Sequence, residues 1–147
     1  MARNLAAIAG AAIAAAVLTV AISPVLAATA QDDANSCIRD SGDAAISACT
    51  RAIASNLYSH SDLALLYNNR GVEYANKGDL DRAMADYDQA IAIDAKLAAA
   101  YNNRGLAYHN KGNLDHAIAD FSAAIALDPK DAKAYNNRGI VCKQKAT

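Results

Sequence analysis

An excess of charge of either sign is what this chain most plainly lacks. Fourteen lysines and arginines stand against fifteen aspartates and glutamates, a formal net charge of -1. Nucleic-acid binders carry a basic stripe; none is present, so nucleic acid is demoted as a partner, and the balance does not encourage a membrane-surface role. The signatures of chemistry are missing too. There is no G-x-S-x-G, no glycine-rich phosphate loop and no H-E-x-x-H. Cysteine is scarce at three, with no C-x-x-C and no histidine beside Cys37 or Cys49, which argues against zinc. His60 reads as a loop residue, and His109 and His116 straddle the break at Gly112 with poor metal-ligand spacing. The expectation is a chain with no enzyme activity, no cofactor and no metal.

A long apolar run occurs once, from Leu5 to Ile22, behind the basic Arg3. Pro24 and the small-residue sequence from Val25 to Ala30 follow it. A basic start, an apolar stretch and small residues at -3 and -1 are the pattern of a secretory signal peptide. Residues 1–30 are read as that leader, cleaved after Ala30 or, in competition, after Ala27. The mature protein is then expected to be periplasmic or secreted from a bacterium, without a membrane association. In an oxidising compartment Cys37 and Cys49 can pair, leaving Cys142 over. Ser41-Gly42-Asp43 lies between them as a hairpin turn signal. A bridge closing so short a loop adds about 3 kcal/mol in the chain-entropy model. The alternative is two separate buried thiols.

What the chain has instead is repetition. Y-N-N-R-G occurs from Tyr67, Tyr101 and Tyr135, each copy 34 residues after the last. The units run over 64–97 and 98–131, a partial third covers 132–147, and a worn copy fills 31–63, with Cys49 where the ring of Tyr87 stands. Each full unit reads as two helices broken at Lys77-Gly78-Asp79 or Lys111-Gly112-Asn113, glycine ending one and Asp79 or Asn113 capping the next. Asp128-Pro129 is expected to supply a cap and a first-turn proline to the helix after it. Tyr67, Gly71 and Tyr74 share one face of the first helix, and Ala83, Tyr87, Ala90 and Ile91 form an answering stripe on the second. Glycine in mid-helix costs about 1 kcal/mol relative to alanine, so Gly71 and Gly105 imply close approach of the second helix. Arg70 and Arg104 precede Asp86 and Asp120 by sixteen residues, suited to an ion pair within a hairpin; pairing onward to Arg104 and Arg138 of the next unit is the alternative.

This combination resembles the tetratricopeptide repeat: the period, the aromatic-glycine-aromatic first helix, the alanine-aromatic-alanine second helix and Pro129. The resemblance implies an all-α, short right-handed solenoid of about seven helices. It also implies that the first helices line a concave groove for an extended or helical peptide. The candidate groove residues are Asn68, Val72, Asn102, Leu106, His109, Lys133 and Asn136. An asparagine amide both donates and accepts, which suits gripping a peptide backbone; asparagine–asparagine bonding along the stack is the alternative. The family's carboxylate-clamp variants are matched only at Asn103 and Lys133. The expected partner is a protein or peptide. The other reading is a self-associating structural array, with a dimer through Cys142 or the last helix. That helix either caps the stack or belongs to a longer array.

Overall fold

A computed structural model describes residues 23–147, and the expected leader up to residue 22 lies outside them. Seven helices occupy the described residues: α1 (Pro24–Arg39), α2 (Gly42–Ala54), α3 (His60–Asn76), α4 (Leu80–Ile93), α5 (Ala98–Asn110), α6 (Leu114–Leu127) and α7 (Ala132–Lys145). Consecutive helices pack as the hairpins α1–α2, α3–α4 and α5–α6, stacked in chain order with α7 against α6. The odd-numbered helices also touch one another, α1 with α3, α3 with α5 and α5 with α7. They therefore form one layer and the even-numbered helices the other, as in a helical solenoid.

The hairpins close where glycine is expected. Gly78 and Gly112 adopt φ of 80° and 76°, a backbone region that glycine enters without penalty. Asp79 and Asn113 then cap α4 and α6 by accepting the backbone N–H of Arg82 and His116. That N–H bond, with the Arg82 guanidinium beside it, holds the Asp79 carboxyl below its ordinary value.

Gly71 and Gly105 set the hairpin spacing. A Cβ placed on Gly71 would lie 2.7 Å from the Tyr87 ring, and one on Gly105 would lie 2.8 Å from the Phe121 ring. Tyr87 and Phe121 are fully buried there among alanines, each worth roughly 1.5–3 kcal/mol of burial. In the first hairpin this place is taken by sulfur. Cys37 and Cys49 are joined, their sulfurs 2.07 Å apart, beneath Ala34, Ala48, Ala52 and Leu66.

Three expectations need correction. The first helix does not start with the worn copy at residue 31; it runs from Pro24, because Pro24 suits a first turn and nothing after it breaks the helix before Arg39. Asp128 ends α6 rather than starting α7, and Pro129 lies in the connection. The cap of α7 is Asp131, whose carboxylate accepts from the backbone N–H of Lys133 and Ala134. His60, read as a loop residue, is the first residue of α3, whose N-cap is Ser59.

Candidate functional site

Each first helix divides its polar residues between two faces. Toward its own hairpin, Arg70 donates from Nε and Nη2 to both carboxylate oxygens of Asp86, at 2.8 and 2.7 Å. Arg104 grips Asp120 in the same bidentate way, at 2.8 Å for both bonds. The pairing is within the hairpin, not onward to the next unit. The remaining nitrogen, Nη1, reaches back one unit: to Thr50 from Arg70, to Asp88 from Arg104 and to Ser122 from Arg138. Asp120 and Asp88 together push the Arg104 guanidinium pKa further upward. Arg70 and Arg104 thus tie neighbouring hairpins together and offer little to a ligand.

Asparagine follows a different logic. Asn68 and Asn102 are buried. Asn103 Nδ2 donates to Asn68 Oδ1 at 3.0 Å, and Asn137 Nδ2 donates to Asn102 Oδ1 at 3.1 Å. The first asparagine of one unit thus anchors the second asparagine of the next. Asn136 has no following unit in the described residues and is exposed. The second asparagine is the one that lines the hollows between first helices; of its copies only Asn103 was expected to matter, as a carboxylate-clamp match. Its signal was present: Asn35, Asn69, Asn103 and Asn137 recur at intervals of 34, the first of them in the worn unit.

Three residues beyond each stands an apolar side chain: Ile38, Val72, Leu106 and Ile140. Ile38 and Ile140 are 67% and 52% exposed, and Val72 is half-buried. Of the other expected groove residues, Lys133 is exposed. His109 is half-buried, with Nε2 2.8 Å from Gln144 Oε1 of α7. His116 lies instead beside Asn113 and the Tyr108 ring, so the two histidines do not converge. Cys142 is exposed and unpaired.

Hollows open between successive first helices. One of about 200 Å³ between α1 and α3 is lined by Asn35, Ile38, Leu65 and Asn69. A second of about 200 Å³, between α3 and α5, is lined by Val72, Asn76, Asn103, Leu106 and Asn110, with no charged residue on its wall. A third, between α5 and α7, adds Ala99 and Lys133 to Asn103. The first two hollows have no cation on their walls; the third has Lys130 and Lys133 beside Asp128 and Asp131.

With this geometry in place, the repeat can be compared with known proteins. One repeat profile, described as a TPR repeat, matches residues 71–112. Another, the tetratricopeptide repeat, matches residues 98–131. Together these two tetratricopeptide profiles match residues 71–131. The second such domain of human RPAP3, solved with the HSP70 peptide SGPTIEEVD, superposes with a TM-score of 0.67 at 28% identity, covering 80% of this chain and 95% of that one. The tetratricopeptide domain of Arabidopsis OM64 gives a TM-score of 0.71 at 25% identity, over 81% and 98% of the two chains. The first tetratricopeptide domain of Spaghetti (RPAP3), bound to the HSP90 peptide SRMEEVD, gives 0.71 at 21% identity, over 83% and 94%. A search of curated protein sequences found no match. The solenoid of these tetratricopeptide structures therefore extends over α1–α2 and α7, beyond the residues that the repeat profiles match.

Proposed function

We propose that the chain is a peptide-binding scaffold whose groove takes a neutral, extended segment with apolar side chains. The observation that carries this is the register of amide and apolar residue in four successive first helices: Asn35/Ile38, Asn69/Val72, Asn103/Leu106 and Asn137/Ile140. Asn103 and Asn137, tethered through Nδ2, keep Oδ1 as an acceptor for a peptide N–H. The apolar side chain three residues on offers a seat for a ligand side chain, as in other extended-peptide grooves. The peptides in the RPAP3 complexes end in acidic residues. In this groove the first hollow carries Asp62 and no cation, and the second carries no charge. An acidic tail would meet cations only at the far end, where Lys130 and Lys133 stand beside Asp128 and Asp131.

The test is fluorescence anisotropy with neutral apolar nonapeptides and with SGPTIEEVD as the acidic comparison. Neutral peptides are expected to bind, and the Asn69→Ala, Asn103→Ala double variant to bind them at least tenfold more weakly while still unfolding cooperatively, at a melting temperature lowered by the loss of the bond to the buried Asn68. If the acidic peptide binds as well as the neutral ones, or the double variant binds as wild type, the groove reading fails. Catalysis forms no part of this proposal.

Export is proposed alongside it, from the leader-like residues 1–30. The packing of α1 favours cleavage after Ala27. Ala30 is buried, and its carbonyl accepts the Tyr58 hydroxyl at 2.6 Å. Val25 and Leu26, by contrast, are 70% and 50% exposed. A cut after Ala27 would remove exposed apolar residues and keep that hydrogen bond. N-terminal sequencing of the exported protein is expected to begin at Ala28; a start at Gln31 would overturn this. The exposed Cys142 would then be able to form a disulfide-linked dimer, visible on a non-reducing gel and removed by Cys142→Ser.

A further inference from the structure

α7 repeats the hairpin-forming face of α3 and α5 without a helix upon it. In α3 and α5 the arginine fork of Nε and Nη2 holds an aspartate from the second helix, and the glycine beside it receives that helix's ring. In α7, Arg138 makes its backward bond to Ser122, and among the described residues no carboxylate meets the fork. A Cβ on Gly139 would meet nothing within 4 Å, and Tyr135 is 46% exposed. Two independent features, an unanswered bidentate donor and an unfilled notch, lie on adjacent residues. The charge of the helix agrees: α7 carries four basic residues and no acidic one.

We propose that this face docks a helix from another protein, one carrying a carboxylate followed by an aromatic ring between small residues. The molecule itself defines the motif twice. Ala83-x-x-Asp86-Tyr87-x-x-Ala90 covers α3, and Ala117-x-x-Asp120-Phe121-x-x-Ala124 covers α5. The carboxylate takes the Arg138 fork bidentately, the geometry in which guanidinium and carboxylate bind best. The ring fills the notch at Gly139, and small residues on either side let the two backbones approach. A folded second copy does not supply this helix. Its α4 and α6 are already committed to their own hairpins, and α2 has Ala48 and Cys49 where the carboxylate and ring are needed.

The probe is the α6 sequence itself, a labelled, end-blocked peptide of residues 114–127, titrated against the purified full chain by fluorescence anisotropy. Saturable binding is expected, weakened at least tenfold by Asp120→Ala or Phe121→Ala in the peptide. In the protein, Gly139→Leu fills the notch and is expected to abolish binding without lowering the melting temperature. Arg138→Ala is expected to weaken binding about tenfold and keeps the test open if Gly139→Leu folds poorly. The Asn69→Ala, Asn103→Ala groove variant is expected to bind this peptide as wild type does, which separates the two surfaces. The proposal is overturned if the peptide does not bind, or if both α7 variants bind it as tightly as wild type. It is also overturned if sedimentation shows a dimer that Gly139→Leu dissociates, which would make a second copy the occupant.

Discussion

The ring at the centre of each hairpin shows how much one atom matters in this fold. Tyr87 and Phe121 hold equivalent places, and they differ by a hydroxyl. Burial pushes the Tyr87 phenol well above its ordinary value of 10.0, with the nearby Asp86 and Glu73 charges adding to the shift. The folded state therefore favours the neutral ring. That stability is whole below about pH 10, where an unfolded tyrosine ionises, and is lost progressively above it. Tyr87→Phe is expected to leave stability at pH 7 within about 1 kcal/mol, as for a volume-conserving change, and to remove part of the alkaline loss. Urea midpoints for the two proteins from pH 7 to 11 check this: parallel curves would refute it. The same one-residue resolution decides the asparagines. Asn68 and Asn69 are neighbours with the same side chain, yet one is buried and the other lines a hollow.

A hairpin element is defined by what its first helix leaves out. Gly105 accommodates the Phe121 ring, whereas Gly139, the same residue of the same motif, faces open space. Gly105→Ala is expected to destabilise by roughly 1–3 kcal/mol through overpacking, offset in part by helix propensity. Gly139→Ala, with nothing to strike, is expected to stabilise by up to about 1 kcal/mol. Chemical denaturation of the two variants against wild type measures the contrast, and equal effects would mean that α7 is covered after all. Glycine in the middle of both helices was visible in the sequence, and so was the reason for it. That Gly139 faces open space needed coordinates.

The whole molecule is a stack in which each hairpin is held by its neighbours, so stability is close to a sum of units and interfaces. Across units, Lys77 pairs with Asp43, Lys111 with Asp81 and Lys145 with Asp115. These pairs are largely exposed and contribute under about 1 kcal/mol each. The α1–α2 end lacks a buried ring, and the Cys37–Cys49 bridge with its twelve-residue separation substitutes for one. Reduction is expected to lower the stability of that end by up to about 3 kcal/mol and to open α1 before the rest. Hydrogen exchange with and without reductant reads this directly. Uniform loss of protection across all seven helices would contradict it.

By itself, the sequence determined the period, the helix pairs and the packing stripes. The reason is local: a helix of 3.6 residues per turn converts spacing into faces without reference to the rest of the chain. It also placed Cys37 and Cys49 on facing sides of a turn. Tertiary structure decided which of two adjacent asparagines reaches the groove, and it joined each arginine to the aspartate of its own hairpin. Residues one apart on a helix differ by about 100° in direction, and the boundary between buried and exposed falls within that angle only once the neighbouring hairpin is in position. Start points were decided late for a similar reason. Asp131 and not Asp128 starts α7, because it is the carboxylate that meets the free N–H groups of the first turn.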